Sequence, residues 1–399
     1  MILTAKKVFG GAKDALIENG AVCIEGDKVV MAGAKEDVLK MYPDQEVVDF
    51  GDATILPGMI DLHNHVGDVE IPKYGRDYQE GFNSAALRTL FAANRMKETL
   101  EAGVTTIRDV CGPDGIALAL RRAAEDKLLK APRILTCNMG ICMTGGHGAD
   151  ALCGGVIEAD GVEEVRKAIR LNFKQGADWI KILTSECYRG EELSFEELKA
   201  AADEVHRMGK RISAHAGFGA SIENCIKAGY DSIEHGTHLT KEQAEYMRDH
   251  DQTLVPTVLV FNYVNEHMSK MDMSMLDPYS LVKVRYLKDC VESYKQNLRM
   301  WYDTGVRMAT GTDTDCTDYL GAAPVAVECV YMVECGLTPA EAMECATKNG
   351  AECLGFGDWL GQLKEGYAAD IIVVKGDAAE DISCLKDVVA VYQAGEKVV

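Results

Sequence analysis

The spacing of apolar residues changes twice along the chain and divides it into three regions. Residues 1–52 and 366–399 carry short, partly alternating apolar runs, which are typical of β-strands. Between these regions, short continuous apolar runs alternate with longer stretches in which apolar residues recur at helical spacing. The continuous runs predict eight strands, at 53–65, 104–108, 133–137, 178–183, 211–215, 232–235, 253–258 and 307–313.

The segments between these strands carry the signals of amphipathic helices. Apolar residues recur at helical spacing in 84–102 and 162–175. Ser194 is followed three positions later by a glutamate, which is the pattern of a capping box, and Thr240 and Thr338 stand at two further predicted helix starts. Strands that alternate with helices in this way predict an α/β fold in which the strands close into a parallel (β/α)₈ TIM-like barrel.

The two terminal regions are predicted to form one small β domain. A hairpin is expected around Gly26-Asp27, because such a dipeptide often turns the chain between two strands. Neither terminal region has enough strands for a stable sheet of its own, so we expect them to pair with each other. The sequence therefore predicts a composite β-sandwich domain from residues 1–56 and 358–399, and a barrel domain from residues 57–357.

Composition and charge restrict the possible partners. The chain has 399 residues, of which 47% are hydrophobic and 26% are charged, as in ordinary globular proteins. The net charge of −21 argues against nucleic acid and against an anionic membrane as partners. No apolar segment approaches the roughly 20 residues that span a bilayer, and the N-terminus lacks the pattern of a signal peptide. We therefore expect a cytoplasmic protein that acts on a small molecule.

The fourteen cysteines are scattered along the chain, and several lie within apolar runs. In a cytoplasmic protein this distribution predicts reduced, buried thiols rather than disulfides. Cys137, Cys142 and Cys153 lie fairly close in sequence, but the chain contains no Cys-x-x-Cys pair, so a cysteine metal site is not predicted.

A methionine-rich insertion follows the seventh predicted strand, at residues 260–280. It contains Met268, Met271, Met273 and Met275. Flexible methionine side chains suit either a lid over a site or a patch between packed helices, and the sequence leaves both interpretations open.

Two histidines stand at the end of the first predicted barrel strand. Side chains two residues apart on a strand point to the same face, so His63 and His65 project together. Two imidazoles on one face are half of a metal site, but a pair of solvated histidines at a strand end has the same pattern. The remaining strand ends distinguish these interpretations.

Further polar side chains occur in or just after other predicted strands. Lys181 interrupts the apolar fourth strand, and Asp313 ends the eighth. His215 and His235 end the fifth and sixth strands, and His147 lies in the glycine-rich loop after the third. Each residue taken singly could be a hydrogen-bonded core residue, a paired lysine or a helix cap. Because a TIM barrel presents the carboxyl ends of its strands at one face, their coincidence predicts a divalent metal site.

Several longer motifs connect these residues to a known family. They are Leu56-Pro57-Gly58-Met59-Ile60-Asp61-Leu62-His63-Asn64-His65, Gly103-Val104-Thr105-Thr106-Ile107-Arg108-Asp109, Ile233-Glu234-His235-Gly236, Gly311-Thr312-Asp313 and Gly366-Tyr367-Ala368-Ala369-Asp370. With these motifs the chain resembles the amidohydrolase superfamily along essentially its whole length. Gly145-Gly146-His147-Gly148 and Ile180-Lys181-Ile182 are similar to the branch of metal-dependent dipeptidases that cleave before a C-terminal proline, lysine or arginine. Imidazolonepropionase-like and ochratoxin-cleaving amidohydrolases belong to the same branch.

The resemblance implies a binuclear centre, usually of zinc, in which CO₂ has converted a lysine to a carbamate. By position, one metal would be held by His63, His65 and Asp313, the other by His215 and His235, and both by the carbamate of Lys181. In such a site a metal-bridging hydroxide attacks the amide carbonyl, and Asp313 passes a proton to the departing amine. His147 would stabilise the oxyanion, although a loop histidine held by glycine-rich backbone has the same sequence pattern.

The same resemblance implies a small carboxamide as substrate, with a dipeptide or an N-acyl amino acid as the best match. Arg108 lies in a motif shared across the superfamily and is expected to be structural. A substrate carboxylate needs a cation or hydroxyl donors. The candidates for this role, in the segments after strands one and four, are Tyr74, Arg76, Tyr78, Tyr188 and Arg189.

Some features point away from a simple transfer of function. Certain relatives carry Ala-His-Ala-Tyr at the fifth strand, where this chain has Ala214-His215-Ala216-Gly217-Phe218, which argues against assigning proline specificity. A cyclic-amide hydrolase or deaminase, such as an imidazolonepropionase, is the alternative enzyme, although Lys181 disfavours a mononuclear deaminase. A non-catalytic scaffold would be expected to have lost ligands, and all six implied ligands are present. Because relatives often assemble, a homo-oligomer is expected.

Overall fold

A computed structural model of the chain describes residues 1–67, 84–149, 155–186, 190–268, 270, 278–315 and 323–399. Within these residues the strands form three larger sheets and one two-stranded sheet. In chain order the strands are β1 Ile2–Phe9, β2 Leu16–Glu25, β3 Lys28–Ala34, β4 Val47–Asp49, β5 Ala53–Pro57, β6 Met59–His65, β7 Val104–Asp109, β8 Arg133–Thr136, β9 Gly140–Cys142, β10 Val156–Glu158, β11 Ile180–Leu183, β12 Ser185–Glu186, β13 Gly190–Glu191, β14 Ile212–Ala216, β15 Ser232–His235, β16 Thr253–Val255, β17 Arg307–Met308, β18 Thr314–Asp315, β19 Ile371–Lys375, β20 Val388–Gln393 and β21 Glu396–Lys397.

Several of the helices begin at residues whose side chains cap the first turn. They are α1 Lys35–Met41, α2 Ala85–Glu101, α3 Ile116–Glu125, α4 Val162–Gln175, α5 Phe195–Arg207, α6 Gly219–Ala228, α7 Lys241–Asp249, α8 Val258–Met268, α9 Pro278–Asp303, α10 Pro324–Glu334, α11 Pro339–Cys345 and α12 Lys348–Cys353, with a 3₁₀ helix at Ile382–Lys386. The predicted starts at Ser194, Thr240 and Thr338 are confirmed, because each side chain accepts a hydrogen bond from a backbone N–H in the first turn.

The two ends of the chain meet in one sheet, with the strand order β21-β20-β19-β5-β1-β2-β3 and with β4 also paired to β1. The hairpin around Gly26-Asp27 is present between β2 and β3. β19 runs antiparallel to β5, so the C-terminal strands pair directly with the N-terminal ones. Val8, Ile55 and Val373 are buried in one apolar cluster of this sheet.

The other two larger sheets are parallel and carry the strands predicted for the barrel. One has the order β18-β6-β7-β8, and the other has the order β10-β9-β11-β14-β15-β16-β17. Backbone hydrogen bonds join their edges: Leu62 N, in β6, donates to Thr310 O, which follows β17, at 3.0 Å, and Asp178 N donates to Thr136 O, in β8, at 2.8 Å. The predicted third strand, 133–137, corresponds to β8, and the predicted eighth, 307–313, is regular only in β17, at Arg307–Met308.

The predicted first barrel strand, 53–65, is divided at Gly58. β5 belongs to the terminal sheet and β6 to the four-stranded parallel sheet. Gly58 N donates to Asp370 O at 2.8 Å. A Cβ on Gly58 would lie 2.1 Å from Thr105 Oγ1 in β7, so the chain crosses between the sheets at a position where only glycine fits.

Some predictions concern parts of the chain away from these sheets. His206, on α5, and His250, directly after α7, are exposed. Met271, Met273 and Met275 lie outside the described residues, so the lid and the packing patch both stay predictions. The cysteines that the structure describes are free thiols, and most are buried. No helix among the described ranges is long and apolar enough to cross a membrane.

Candidate metal centre

A cavity of about 290 Å³ lies at the carboxyl ends of the parallel strands. β6, β11, β14 and β15 each contribute polar side chains to it. Parallel strands bring their carboxyl ends to one face, which explains why residues far apart in sequence converge here. The structure thus brings together all seven of the predicted metal-binding and catalytic residues, His63, His65, His147, Lys181, His215, His235 and Asp313.

His63, His65 and Asp313 approach one another closely enough to hold one metal ion. Asp313 Oδ1 lies 3.3 Å from His63 Nε2 and 3.0 Å from His65 Nε2. Potential ligand atoms of the three side chains all lie within 4.8 Å of one another. The alternation along β6 explains this grouping, because Leu62, between Asp61 and His63, packs into an apolar cluster. Two imidazoles and a carboxylate are donors that zinc commonly binds.

Two of these side chains are carried by left-handed backbone. His235 has a φ of 68° and Asp313 a φ of 53°. Such conformations are uncommon for residues other than glycine, and they are concentrated at functional sites, where the surrounding structure stabilises them. Thr257, whose hydroxyl lies 2.8 Å from His235 Nδ1, also has a positive φ, of 54°. Left-handed backbone is therefore present at the cavity, although it also occurs elsewhere, for example at Asn138 and Asp251.

A buried carboxylate orients His63 through the ring nitrogen that does not face Asp313. Glu234 is fully buried, and its Oε2 accepts a hydrogen bond from His63 Nδ1 at 2.9 Å. Its Oε1 accepts hydrogen bonds from Arg108 Nη2 at 2.6 Å and from Ser232 Oγ at 2.8 Å. Burial would raise the pKa of Glu234, but the charge of Arg108 and the hydrogen bond from His63 oppose this, and the pKa lies well below its ordinary value. An ionised carboxylate only accepts hydrogen bonds, so Nδ1 carries a proton, and Nε2 is the nitrogen that the neutral imidazole would offer to a metal ion.

Arg108 has the structural role that the sequence predicted. Its guanidinium is buried and stacks on the Trp179 ring, with Cζ 4.4 Å from the ring centroid. Besides Glu234, it donates to Leu62 O at 2.6 Å and to Ser232 Oγ at 3.0 Å. The arginine therefore ties β6, β7 and β15 together beneath the cavity.

Lys181 is enclosed without a compensating partner. The residue is 2% exposed, and its Nζ makes no hydrogen bond to any of the described residues. Burial lowers the pKa of Lys181, although the charge of Glu234 opposes this shift. An unpaired buried ammonium is costly, so the geometry favours a neutral amine or a modification that makes this group an anion.

The remaining imidazoles contact one another along the cavity. The rings of His215 and His235 meet edge to face with their centroids 4.5 Å apart, and those of His147 and His215 stack at 4.1 Å. Burial lowers the pKa of His215 and of His235 well below the ordinary value, and neighbouring imidazoles add to the shift. Neutral histidines have a ring nitrogen available for metal. The backbone N–H of His147 donates to Glu192, at 3.0 and 2.9 Å to its two oxygens.

Asp313 is ionised in this environment. Burial would raise the pKa of its carboxyl group, but His63, His65 and His235 outweigh this and hold the pKa well below its ordinary value. For His65, burial lowers the pKa, while Cys111 and Asp313 more than compensate and raise it well above its ordinary value. Asp313 and His65 therefore combine a carboxylate with a basic imidazole at the carboxyl end of β6.

Sequence reasoning missed several side chains around the site. Glu234 is an acid within a short apolar strand, and this is the same signal that identified Lys181, so it could have been found. Cys111 follows β7 by two residues, lines the cavity and has its Sγ 3.4 Å from His65 Nδ1, and nothing in the sequence distinguishes it from the other cysteines. The predicted substrate contacts all lie outside the described residues: Tyr74, Arg76, Tyr78, Tyr188 and Arg189.

Comparison with known proteins gives consistent matches over nearly the whole chain. Residues 54–398 match the amidohydrolase family. Ochratoxinase of Aspergillus niger is 30% identical over 407 residues, which cover 94% of this chain and 81% of that protein. Imidazolonepropionase of Clostridium tetani is 22% identical over 403 residues, which cover 90% of this chain and 85% of that protein.

Among solved structures, a crystal structure of a Xaa-Pro dipeptidase with methionine bound in the active site has a TM-score of 0.87 and 28% sequence identity. The likeness covers 99% of this chain and 98% of that one. Together with the family match it implies a TIM barrel with an additional domain, and the mixed α/β content described above agrees with this.

Proposed function

We propose, from the premise that this chain belongs to the amidohydrolase family, that it is a binuclear metal-dependent hydrolase that cleaves the amide bond of a dipeptide or an N-acyl amino acid. The family and its hydrolase relatives support hydrolysis of a carbon–nitrogen bond. The dipeptidase among the similar structures supports a small peptide-like substrate. The observation that carries the proposal is the buried, unpaired amine of Lys181 in a cavity lined by imidazoles and a carboxylate.

The residues of the cavity fit a pair of divalent cations, for which zinc is our best candidate. A neutral Lys181 amine can bond to the carbon of CO₂ and release a proton, which leaves a carbamate anion with oxygen donors. This change would remove the cost of an unpaired buried amine and add negative charge beside the cations. The ion-holding residues would be His63, His65 and Asp313 for one cation, His215 and His235 for the other, and the carbamate of Lys181 for both.

The side chains of the cavity have distinct tasks in amide cleavage. Divalent cations supply an activated water and polarise the amide carbonyl when they are bound. Asp313, ionised at neutral pH, accepts a proton from the attacking water and delivers it to the amine nitrogen as the carbon–nitrogen bond breaks. His147, stacked on His215 and held through its backbone by Glu192, donates a hydrogen bond to the tetrahedral oxyanion.

The finer architecture belongs to the same proposal. The backbone hydrogen bonds between the edges of the two parallel sheets support their closure into a (β/α)₈ barrel over residues 57–357. Residues 1–56 and 358–399 would form the accompanying β-sandwich domain. A cytoplasmic location and a homo-oligomer stay predictions.

Metal content and carbamate formation test the centre independently of turnover. We expect about two divalent ions per wild-type chain by elemental analysis. Protein supplied with ¹³C-labelled CO₂ should give a carbamate carbon signal by NMR, and Lys181→Ala should lose this signal and most of the bound metal. Added propionate should restore part of the metal binding and activity of Lys181→Ala by supplying a carboxylate. Lys210→Ala, which changes an exposed lysine, is the matched control and should behave as wild type.

A substrate screen of the zinc-loaded protein tests the reaction. The screen would contain dipeptides, N-acyl amino acids, cyclic amides and aminopyrimidines. Cleavage of the first two classes is the expected result. Ammonia release from an aminopyrimidine without amide cleavage would contradict the proposal and favour a deaminase, and ring opening alone would favour a cyclic-amide hydrolase. Full metal content and full turnover in Lys181→Ala would rule out the carbamate.

A further inference from the structure

Part of the cavity lining is apolar and comes from α8 and α9, the two helices that follow β16. α8 contributes Val260, Phe261 and Val264, and α9 contributes Tyr286 and Leu287. The three residues of α8 are spaced so that they share one helix face. Phe261 and Leu287 are each 7% exposed, so this part of the lining is well shielded from bulk water.

Charged side chains are confined to the polar part of the lining. Apart from the histidines, the described residues that line the cavity include one basic residue, Lys181, and one acidic residue, Asp313, and both belong to the proposed metal centre. A charged substrate group placed against α8 and α9 would therefore lose hydration without gaining an ionic partner from the described lining residues of these helices. An apolar group would gain free energy through burial at the same place.

Gly217, at the end of the fifth barrel strand, makes room for Tyr286. A Cβ at position 217 would lie 2.6 Å from the Tyr286 hydroxyl oxygen and 3.3 Å from Thr237 Oγ1. The ring carbon that carries the hydroxyl would be 3.9 Å from that Cβ, which is an ordinary contact. The phenol oxygen and a side chain at position 217 therefore exclude each other.

Neighbouring groups hold the Tyr286 ring in this place. Its hydroxyl lies 3.5 Å from Thr237 Oγ1. The ring centroid is 5.5 Å from that of Phe218 and 6.2 Å from that of His238, both within the range of aromatic contacts. The tyrosine thus connects α9 to the loops after β14 and β15 and presents a fixed ring to the cavity.

We infer that the apolar lining from α8 and α9 is the subsite for the substrate side chain, and that it selects amides with a large apolar side chain beside the scissile bond. Tyr286, seated on Gly217, is the rigid wall of this subsite and a specificity-determining residue. The inference rests on the proposed amide hydrolysis and adds the class of side chain that the site accepts.

Matched substrate pairs test the preference. Zinc-loaded wild-type protein would be assayed with N-acetyl-L-leucine against N-acetyl-L-aspartate, and with L-leucylglycine against L-aspartylglycine, which place the side chain on either side of the bond. We expect kcat/KM to favour the leucine member of at least one pair roughly tenfold or more, since hydrophobic pockets discriminate on this scale. Calorimetric titration with L-leucine and L-aspartate gives a readout without turnover and should show tighter binding of leucine.

A positive charge placed in the subsite should weaken the preference for leucine over aspartate. Val264 is half-buried and lines the cavity, so Val264→Lys would bring an ammonium to the apolar part. We expect this variant to lower the leucine-to-aspartate ratio of kcat/KM by roughly tenfold or more relative to wild type. Val264→Met, which also lengthens the side chain but stays apolar, is the matched control and should keep the leucine preference.

The contact between positions 217 and 286 is tested by a double-mutant cycle. Gly217→Ala should displace the Tyr286 ring and lower kcat/KM for the leucine substrates, whereas Tyr286→Phe removes the oxygen that the new Cβ would meet. The double variant Gly217→Ala/Tyr286→Phe should therefore be more active than Gly217→Ala alone. Additive losses would show that Tyr286 is not seated against Gly217.

The outcomes separate this inference from the proposed function. If no amide in the panel is cleaved, the proposed function fails. If amides are cleaved but leucine and aspartate substrates react equally, or if Val264→Lys leaves the ratio unchanged, amide hydrolysis stands and the apolar subsite is refuted.

Discussion

Replacing Glu234 by glutamine should weaken metal binding although Glu234 is not itself a predicted ligand. The carboxylate accepts hydrogen bonds from His63 Nδ1 at 2.9 Å and from Arg108 Nη2 at 2.6 Å. The new side-chain amide would keep one oxygen for Arg108 but would turn its NH₂ group toward His63 Nδ1. His63 would then accept at Nδ1 and carry its proton on Nε2, the atom that lies 3.3 Å from Asp313. A protonated Nε2 cannot ligate a metal ion.

The magnitude follows from the two interactions that are lost. Loss of the carboxylate that orients a metal-binding histidine typically lowers metal affinity by about 10- to 100-fold. Glu234→Gln also leaves Arg108, 4% exposed, without its ionic partner. Breaking a buried ion pair by removing one partner costs about 3–5 kcal/mol. We therefore expect a less stable apo-protein as well as weaker metal binding.

Competition with a chromophoric zinc chelator measures the metal affinity, and urea unfolding of the apo-protein followed by circular dichroism measures the stability. Glu204→Gln is the matched control, because Glu204 is also buried, at 5% exposed, and pairs with Arg170 and Arg207 at 2.7 Å each, but it does not line the cavity. The control should lose stability and keep wild-type metal affinity. Wild-type metal affinity in Glu234→Gln would refute the reasoning about the His63 proton.

Three further predictions concern the reaction, a helix start and the interior. His147→Ala should lower kcat by roughly 10²–10³ with unchanged metal content, as expected for loss of one oxyanion donor, and a loss of metal instead would make His147 a ligand. Ser194→Ala should lower the free energy of unfolding by about 1 kcal/mol in urea titrations, because the α5 capping box loses its acceptor, and an unchanged midpoint would contradict this. Burial raises the pKa of Glu328 to about 8, although backbone N–H groups of Val258 and Leu259 oppose the shift. Between about pH 4.5 and pH 8, the Glu328 carboxyl group is therefore protonated in the folded state and ionised in the unfolded chain. Because unfolding releases this proton, the free energy of unfolding should fall by a few kcal/mol as the pH rises through this range. Glu328→Gln should remove this part of the pH dependence, and an equal dependence in both proteins would contradict the assignment.

The resemblance drawn from the motifs is confirmed by the family match, and the sequence also located most of the polar side chains of the cavity. This succeeded because apolar strands alternate with amphipathic helices, and parallel strands must bring their carboxyl ends to one face. A histidine, lysine or aspartate at a strand end is therefore placed by chain topology alone, as His63, His215 and Lys181 show. The helix starts at Ser194 and Thr338 were predictable for a similar reason, since a cap depends on a few neighbouring residues.

Features that depend on contacts between distant segments were not predictable. The division of the first strand at Gly58 reflects a close approach to Thr105 in another strand. The left-handed backbone at His235 and Asp313 is stabilised by packing around the cavity rather than by local sequence preference. The position of the proton on His63, in β6, depends on a hydrogen bond to Glu234, which lies in β15. Each of these features depends on a contact with a residue that is distant in the sequence, and the sequence alone does not show that the two residues are close in space.

Position 217 shows how such a contact changes the interpretation of a substitution. Some relatives carry a tyrosine where this chain has Gly217, directly after β14. Comparison of the sequences alone suggests that this chain has lost an aromatic ring and a hydroxyl group at this place. The structure places the hydroxyl of Tyr286, from α9, where a side chain on Gly217 would project. A tyrosine from a different element therefore occupies the space that glycine leaves. The small residue is required by that tyrosine, so the two positions should vary together, and a change at position 217 alone should disturb the apolar subsite rather than restore the specificity of the relatives.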